Sequence, residues 1–344
     1  MFLKTTDKKP NIHTRILSID GGGVRGIVPA VILSYLEEKI QQLSSNAGAR
    51  LADYFDLFAG TSTGGLIIAG LLTPDESGRP KYTANDIVQL YLEHSKTIFQ
   101  SSFIQEVKSA SGLLDVKYDV KGINLVYQQY FANQTLKELL KPCLIPVYDL
   151  IQGENYFFRQ HKAVVNEKHN YYLKDAMRAA TSAITYFPPA NITTVDGLNQ
   201  HCFIDGGIFA VNPALSAYAE FRRLNPNLYF VNTMLLSLGT GRQDTHLDCD
   251  AIKHWGAVEW RDVGSNLVTT SLSEVCDYQL NTVYGKDSNY FRINPFIKPS
   301  HSANIDNSDG EYLDFLYQLG RQAIVFNQKS LNHFASQLVE NHAT

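Results

Sequence analysis

Three short stretches carry residues able to do chemistry. The first is Gly60-Thr61-Ser62-Thr63-Gly64, a serine set between glycines in a G-x-S-x-G pattern. The apolar run Tyr54 to Ala59 precedes it and reads as a buried strand; Gly65 to Leu72 follows and reads as a buried helix. A serine at such a strand-to-helix turn is a nucleophile elbow. The turn is sharp, and residues two before and two after the serine crowd neighbouring backbone, so Gly60 and Gly64 fit there. The new helix adds unpaired N–H groups and a positive dipole end close to the hydroxyl.

The second stretch is Gly21-Gly22-Gly23-Val24-Arg25-Gly26, after the strand-like Arg15 to Asp20. Gly21, Gly23 and Gly26 also fit G-x-G-x-x-G, the dinucleotide fingerprint. That reading needs an acid about twenty positions on, at the end of a second strand. Here the corresponding residues, Gln41 to Ser45, lie in a helix end and a polar turn, and Asp53 and Asp56 are the first candidate acids. The alternative is an oxyanion hole, in which the glycine N–H groups meet charge developing on a tetrahedral intermediate. Arg25 adds positive charge to that loop or braces it. No Gly-Lys-Ser/Thr follows, which excludes a Walker A loop.

The third stretch is Asp205-Gly206-Gly207, at the end of the strand-like run from His201. A serine hydroxyl needs a base. An aspartate before glycine is in itself a common turn, but this one ends a strand where an elbow serine lacks a partner. A Ser-Asp-His triad would draw its histidine from His246, His254 or His301, and none of these sits in a tight glycine-flanked loop. The direct Ser62–Asp205 dyad is the favoured arrangement.

The elements that must position these residues follow a strand–Gly loop–helix–strand–elbow–helix order, the mark of an α/β fold with a largely parallel sheet. Helical spacing runs from Pro29 to Leu43 and from Thr83 or Asn85 to Phe99; Leu173 to Ser182 reads as a further helix. Thr135 to Glu138 matches a capping box ahead of Leu139. Cys143 to Ile151 and Tyr156 to Phe158 read as paired strands, Thr233 to Gly241 as a buried strand into a glycine turn, and Tyr290 to Ile293 as a short strand. Residues 100–122 are less periodic and are a candidate mobile segment by the site entrance, or an ordinary surface loop.

Composition sets outer limits. The chain has 344 residues, 44% of them hydrophobic, enough to bury a large core. A net charge of −4 without a basic block argues against a nucleic-acid partner. Cys143, Cys202, Cys249 and Cys276 form no CxxC, so a zinc site and a disulfide framework are both disfavoured, and buried reduced thiols are expected. No signal peptide or spanning stretch is legible. The cytoplasm is therefore the default compartment, with export by a signal-less route left open. No repeat or linker divides the chain. The expected organisation is a flexible lead at 1–14, one catalytic domain at 15–335 and a tail at 336–344.

Taken together, the sequence resembles the patatin-like phospholipases, particularly the plant patatins. LSIDGGGVRG is similar to the family's oxyanion motif, LADYFDLFAGTSTGG to its elbow and IDGG to its aspartate motif. KYTANDIVQLYLEHSKTIFQSS, ATSAITYFPPA, LLSLGTG and KHWGAVEW extend the likeness from about Arg15 past residue 290. The resemblance implies a three-layer α/β/α sandwich and lipid acyl hydrolysis by a serine–aspartate dyad without cofactor or metal. It implies Ser62 as nucleophile, Asp205 as proton acceptor, and Gly21, Gly22, Gly23, Arg25 and Gly26 as the oxyanion loop. A glycerolipid or phospholipid substrate and peripheral contact with a membrane surface follow. Alternatives are a carboxylesterase on soluble esters, or a storage or interaction protein on the same fold. The aspartate motif reads DGG where plant patatins usually have DGA, and residues 103–172 match weakly, so substrate choice is where this chain should differ.

Overall fold

The computed structural model describes residues 12–100, 115–244, 246–285, 289–298 and 304–342. Its strands are β1 (Thr14–Ile19), β2 (Leu57–Gly60), β3 (Cys143–Asp149), β4 (Glu154–Arg159), β5 (Ala190–Thr193), β6 (Gln200–Asp205), β7 (Thr233–Leu238) and β8 (Tyr290–Ile293). They form one sheet in the order β5-β6-β3-β2-β1-β7-β8, with β4 also paired to β3. The run from β3 through β2, β1 and β7 to β8 is parallel. β4, β5 and β6 enter antiparallel.

The helices are α1 (Ile27–Ser44), α2 (Leu51–Tyr54), α3 (Thr63–Leu72), α4 (Ala84–Ile98), α5 (Lys121–Phe131), α6 (Gln160–Val165), α7 (Leu173–Ala180), α8 (Ala214–Leu224), α9 (Cys249–Ile252), α10 (Ala257–Tyr284) and α11 (Gly310–His342). None of the described helices is long and apolar enough to cross a membrane.

Successive strand residues point to opposite faces, and here both faces are covered. Leu17 and Ile19 of β1, Phe58 of β2, Ile145 of β3 and Leu236 of β7 join a core with α1, α3, α4 and α11. Ile16, Leu57, Leu144 and Leu235, one residue out of phase, join a second core with Ala217 and Phe221 of α8 and Leu280 of α10. Burial on both sides is why these strands read as continuous apolar runs. The result is the three-layer α/β/α sandwich with a largely parallel sheet.

Thr83 caps α4 with its side chain, and Asp86 returns the bond as a capping box. The second capping box also forms, Thr135 with Glu138, but it closes only a single 3-10 turn at Leu136–Glu138. The chain there is committed to Pro142 and β3 a few residues later, so no helix follows. β5 was not foreseen; its Ala-Asn-Ile-Thr sequence is short and sits at the sheet edge. Of the cysteines, Cys143 and Cys276 are buried, whereas Cys249 is exposed on α9. α11 continues past residue 335 to His342, with Leu338 fully buried. Residues 1–11 of the expected lead and 101–114 of the candidate mobile segment lie outside the described residues, as does His301.

Candidate active site

The register of β3 brings the site together. β4 occupies one edge of β3 from Leu144 to Asp149. β2 takes the opposite edge at Cys143 and Leu144. β6 takes that same edge at Val147 to Asp149, running the other way. β2 and β6 therefore meet end to end along one edge of β3. Ser62 lies just past the end of β2, and Asp205 is the last residue of β6.

Ser62 sits at φ +53°, ψ −118°, between β2 and the first turn of α3. Non-glycine residues rarely occupy such backbone angles, which cost about 1–3 kcal/mol and persist only where the surroundings enforce them. Here the enforcement is close packing. A Cβ on Gly60 would stand 2.3 Å from the Gly64 carbonyl oxygen, and one on Gly64 would stand 2.3 Å from that of Ile19. Thr61 Oγ1 donates to the Ala210 carbonyl at 2.5 Å, and Thr63 shares a hydrogen bond with buried Tyr91. Thr61 and Thr63 are buried while Ser62 between them is partly exposed.

Asp205 is 5% exposed. Its amide donates to the Ser182 carbonyl at 3.1 Å, and its Oδ1 accepts the Gly207 N–H at 2.8 Å. Gly206 lies against the Pro146 backbone, where a Cβ would come within 2.4 Å. Burial pushes the Asp205 carboxyl up to about 6, against the pull of hydrogen bonds from the Ser62 hydroxyl and the Gly207 amide. The shift has no cation among its causes. Among the described residues no histidine is hydrogen-bonded to Ser62 or Asp205. His161 pairs with Glu220, His201 with Asp149 and His169 with Tyr156; His246 and His254 are exposed.

The glycine loop is held from several sides. The Gly21 N–H donates to the Val211 carbonyl at 2.9 Å, and the Gly21 carbonyl accepts from Thr240 Oγ1 at 2.8 Å. The Arg25 N–H closes a turn onto the Gly22 carbonyl at 3.2 Å, and the Val24 N–H donates to the Ile305 carbonyl at 2.8 Å. The Gly22 and Gly23 N–H groups have no partner among the described residues. Gly23 has φ +58°, an angle open to glycine at little strain. Gly26 packs beneath, against Thr63 and Tyr91. Gly21 sits next to the elbow, where a Cβ would be 3.5 Å from that of Ser62. The site thus combines a partly exposed hydroxyl, a buried carboxylate and a pair of free backbone donors.

A family model described as "Patatin-like phospholipase" matches residues 17–218, a span that holds the glycine loop, the elbow and Asp205. The chain belongs to the patatin-like phospholipase family. It is 34% identical to Patatin-like protein 2 of Arabidopsis thaliana over 341 residues, covering 90% of this chain and 82% of that protein. It is 32% identical to Patatin-07 of Solanum tuberosum over 351 residues, covering 94% and 88%. The solved structure of VipD from Legionella pneumophila overlaps 94% of this chain and 72% of its own at 13% identity and a TM-score of 0.36, too loosely to bear on the site.

In this patatin-like chain, several residues that support the loop were not picked out from the sequence. Asp20, the residue before the glycines, forms a buried ion pair with Arg292 of β8, Oδ1 to Nη1 at 2.8 Å. Ser273 of α10 and Ser237 of β7 complete that cluster. The one available signal was a charged residue inside the otherwise apolar run Tyr290 to Ile293. Arg25 acts as a brace: its Nη1 reaches the Gly241 carbonyl at 3.4 Å. Its side chain lines a polar hollow with Thr240, Gln243, Asn266 and Asn294, and its buried Nε has no partner among the described residues.

Proposed function

We propose that this protein hydrolyses fatty-acyl esters of glycerolipids, with Ser62 as nucleophile and Asp205 as its base. Membership of the patatin-like phospholipase family supports lipid acyl hydrolysis in general. The dyad rests on one observation above all: β2 and β6 meet end to end on the same edge of β3, which sets Ser62, just past β2, against the buried Asp205 that ends β6, and burial pushes that carboxyl up to about 6. A base with a pKa of about 6 is ionised at neutral pH yet still able to take a proton.

An acyl ester presented at a membrane or micelle surface places its carbonyl carbon beside Ser62. Asp205 takes the hydroxyl proton as the oxygen attacks. The Gly22 and Gly23 N–H groups, preset and unpaired, receive the oxyanion without reorganisation. The proton then passes from Asp205 to the leaving alcohol or lysolipid. A water molecule then gives a proton to Asp205 as its oxygen bonds the acyl carbon, and Asp205 returns that proton to the Ser62 oxygen as the acyl–oxygen bond breaks and the fatty acid leaves.

The test is hydrolysis of a short-chain p-nitrophenyl ester and of micellar phospholipid by Ser62→Ala. Rates on both substrates should fall to background. Wild-type turnover in the folded variant would remove Ser62 from the mechanism. A wild-type preference for monomeric ester over phospholipid would redirect the substrate reading to soluble esters.

A further inference from the structure

We propose that Asp306 is a positioning residue that holds the oxyanion loop in register with the Asp205 side of the site. This rests on the serine–oxyanion reading above. The donors and the base come from distant parts of the chain; the sheet and the Gly21–Val211 bond fix the start of the loop, and Gly23 and Val24 rest on a further contact. The glycine loop leans on a segment with neither helix nor strand. The Val24 N–H bonds the Ile305 carbonyl at 2.8 Å. A Cβ on Gly23 would come within 1.9 Å of that same oxygen, so the two backbones are in direct contact. The position of Ile305 therefore sets the conformation of the loop whose N–H groups are free.

The next residue fixes that segment. Asp306 is 8% exposed. Its Oδ2 accepts from Tyr118 Oη at 2.8 Å and forms an ion pair with the Lys117 ammonium. The Tyr118 bond to the carboxylate is buried, and Lys117, itself 39% exposed, reaches in from the surface; hydrogen bonds to an ionised acceptor are stronger than neutral ones. The backbone N–H groups of Lys117 and Tyr118 in turn donate to the carbonyls of Thr185 and Tyr186, each at 2.9 Å. That turn follows Ser182, whose carbonyl accepts the Asp205 amide at 3.1 Å. The path thus runs from Gly23–Val24 through Ile305–Asp306, Lys117–Tyr118 and the 182–186 turn to Asp205. The Asp306 carboxylate, with its partners Lys117 and Tyr118, is the side-chain link of that path and stands between the oxyanion donors and the base.

If Asp306 sets the loop, its loss should act on the transition state more than on substrate binding. Asp306→Ala is expected to lower kcat on micellar phospholipid by about 10- to 100-fold, with KM within about twofold. Phosphonylation of Ser62 by an active-site phosphonate, which forms a tetrahedral adduct in the same hole, should slow by a similar factor. Asp306→Asn keeps an acceptor for Tyr118 and should fall between the two. All rates are expressed per folded, labelled site, so a simple loss of stability moves none of them. Should Asp306→Ala fail to fold, Lys117→Met and Tyr118→Phe carry the same test with smaller losses of the same kind. Wild-type kcat and phosphonylation rate in the folded variants would overturn the proposal, as would a loss confined to KM. Hydrolysis retained by Ser62→Ala would overturn the catalytic reading and this inference together. An inactive Ser62→Ala beside a fully active Asp306→Ala would overturn this inference alone.

Discussion

Asp205 and Glu220 are both buried carboxylates, 5% and 4% exposed, yet their proton affinities are shifted in opposite directions. Burial acts on both in the same direction, against the charge. At Glu220, on α8, it is outweighed: His161 Nε2 lies 2.7 Å away and Arg159 Nε 3.3 Å away, and Arg223 bonds the same carboxylate. These partners pull Glu220 down to about 2. Asp205 receives only a hydroxyl and a backbone amide, and stays near 6. The difference separates two uses of a buried acid. Cations make Glu220 a permanent charge that ties α8 to β4 and α6. Their absence leaves Asp205 a group that can exchange a proton.

Changing either acid should separate the two roles. The largest effect is expected for Asp205→Asn in hydrolysis, a loss of at least about 1000-fold in kcat, measured on a folded variant. Substantial remaining activity would return His246 or His254 to consideration. Glu220→Gln should leave kcat nearly unchanged but destabilise the protein by about 2–3 kcal/mol at pH 7 in denaturant unfolding. The stabilisation from Glu220 is present above its unfolded pKa of about 4.5 and is lost as pH falls from there towards 2. A Glu220→Gln protein as stable as wild type would mean that the cations do no more than offset its burial.

Asp205→Asn should have the opposite effect on stability. Its carboxyl binds a proton more tightly when folded, so its ionisation weakens the fold as pH rises from about 3.8 to about 6. Removing that ionisation should stabilise the variant by about 1–3 kcal/mol above pH 6 and by much less at pH 4. A dead variant more stable than its parent would identify Asp205 as strained for function. The smallest effect belongs to Asp53, which pairs with half-exposed Arg79 at 2.6 Å. Asp53→Asn should cost no more than about 1 kcal/mol, and a greater loss would show that exposure is a poor guide to carboxylate energetics in this protein.

What was legible in the sequence was local. Gly60 and Gly64 mark the elbow because the collisions they avoid lie within a few residues of Ser62. Helix starts such as Thr83 with Asp86 are likewise written in adjacent positions. Asp205 stands out in the sequence only through the proposed role of Ser62, since a serine nucleophile would require a base and Asp205 ends a strand before two glycines. The reason the two meet, the shared edge of β3, is a matter of register between strands far apart in the chain. The same holds for Arg292, which is 272 positions from its partner Asp20, and for Asp306, which is 188 from Tyr118. Pairings at that range depend on the finished fold. The capping box at Thr135 is a reverse case: the local signal was correct, but the nearby start of β3 limited it to one turn.

In the proposed mechanism Asp205 is the group that ionises to activate Ser62. The direct measurement is the rate of Ser62 phosphonylation as a function of pH, in the wild type, in Asp205→Asn and in the His246→Ala, His254→Ala double variant. The wild-type rate should rise with pH and be half-maximal near pH 6, the curve should be unchanged by loss of both histidines, and Asp205→Asn should show almost no labelling at any pH. Labelling that survives in Asp205→Asn, or an acid limb that disappears with the histidines, would contradict the proposed mechanism.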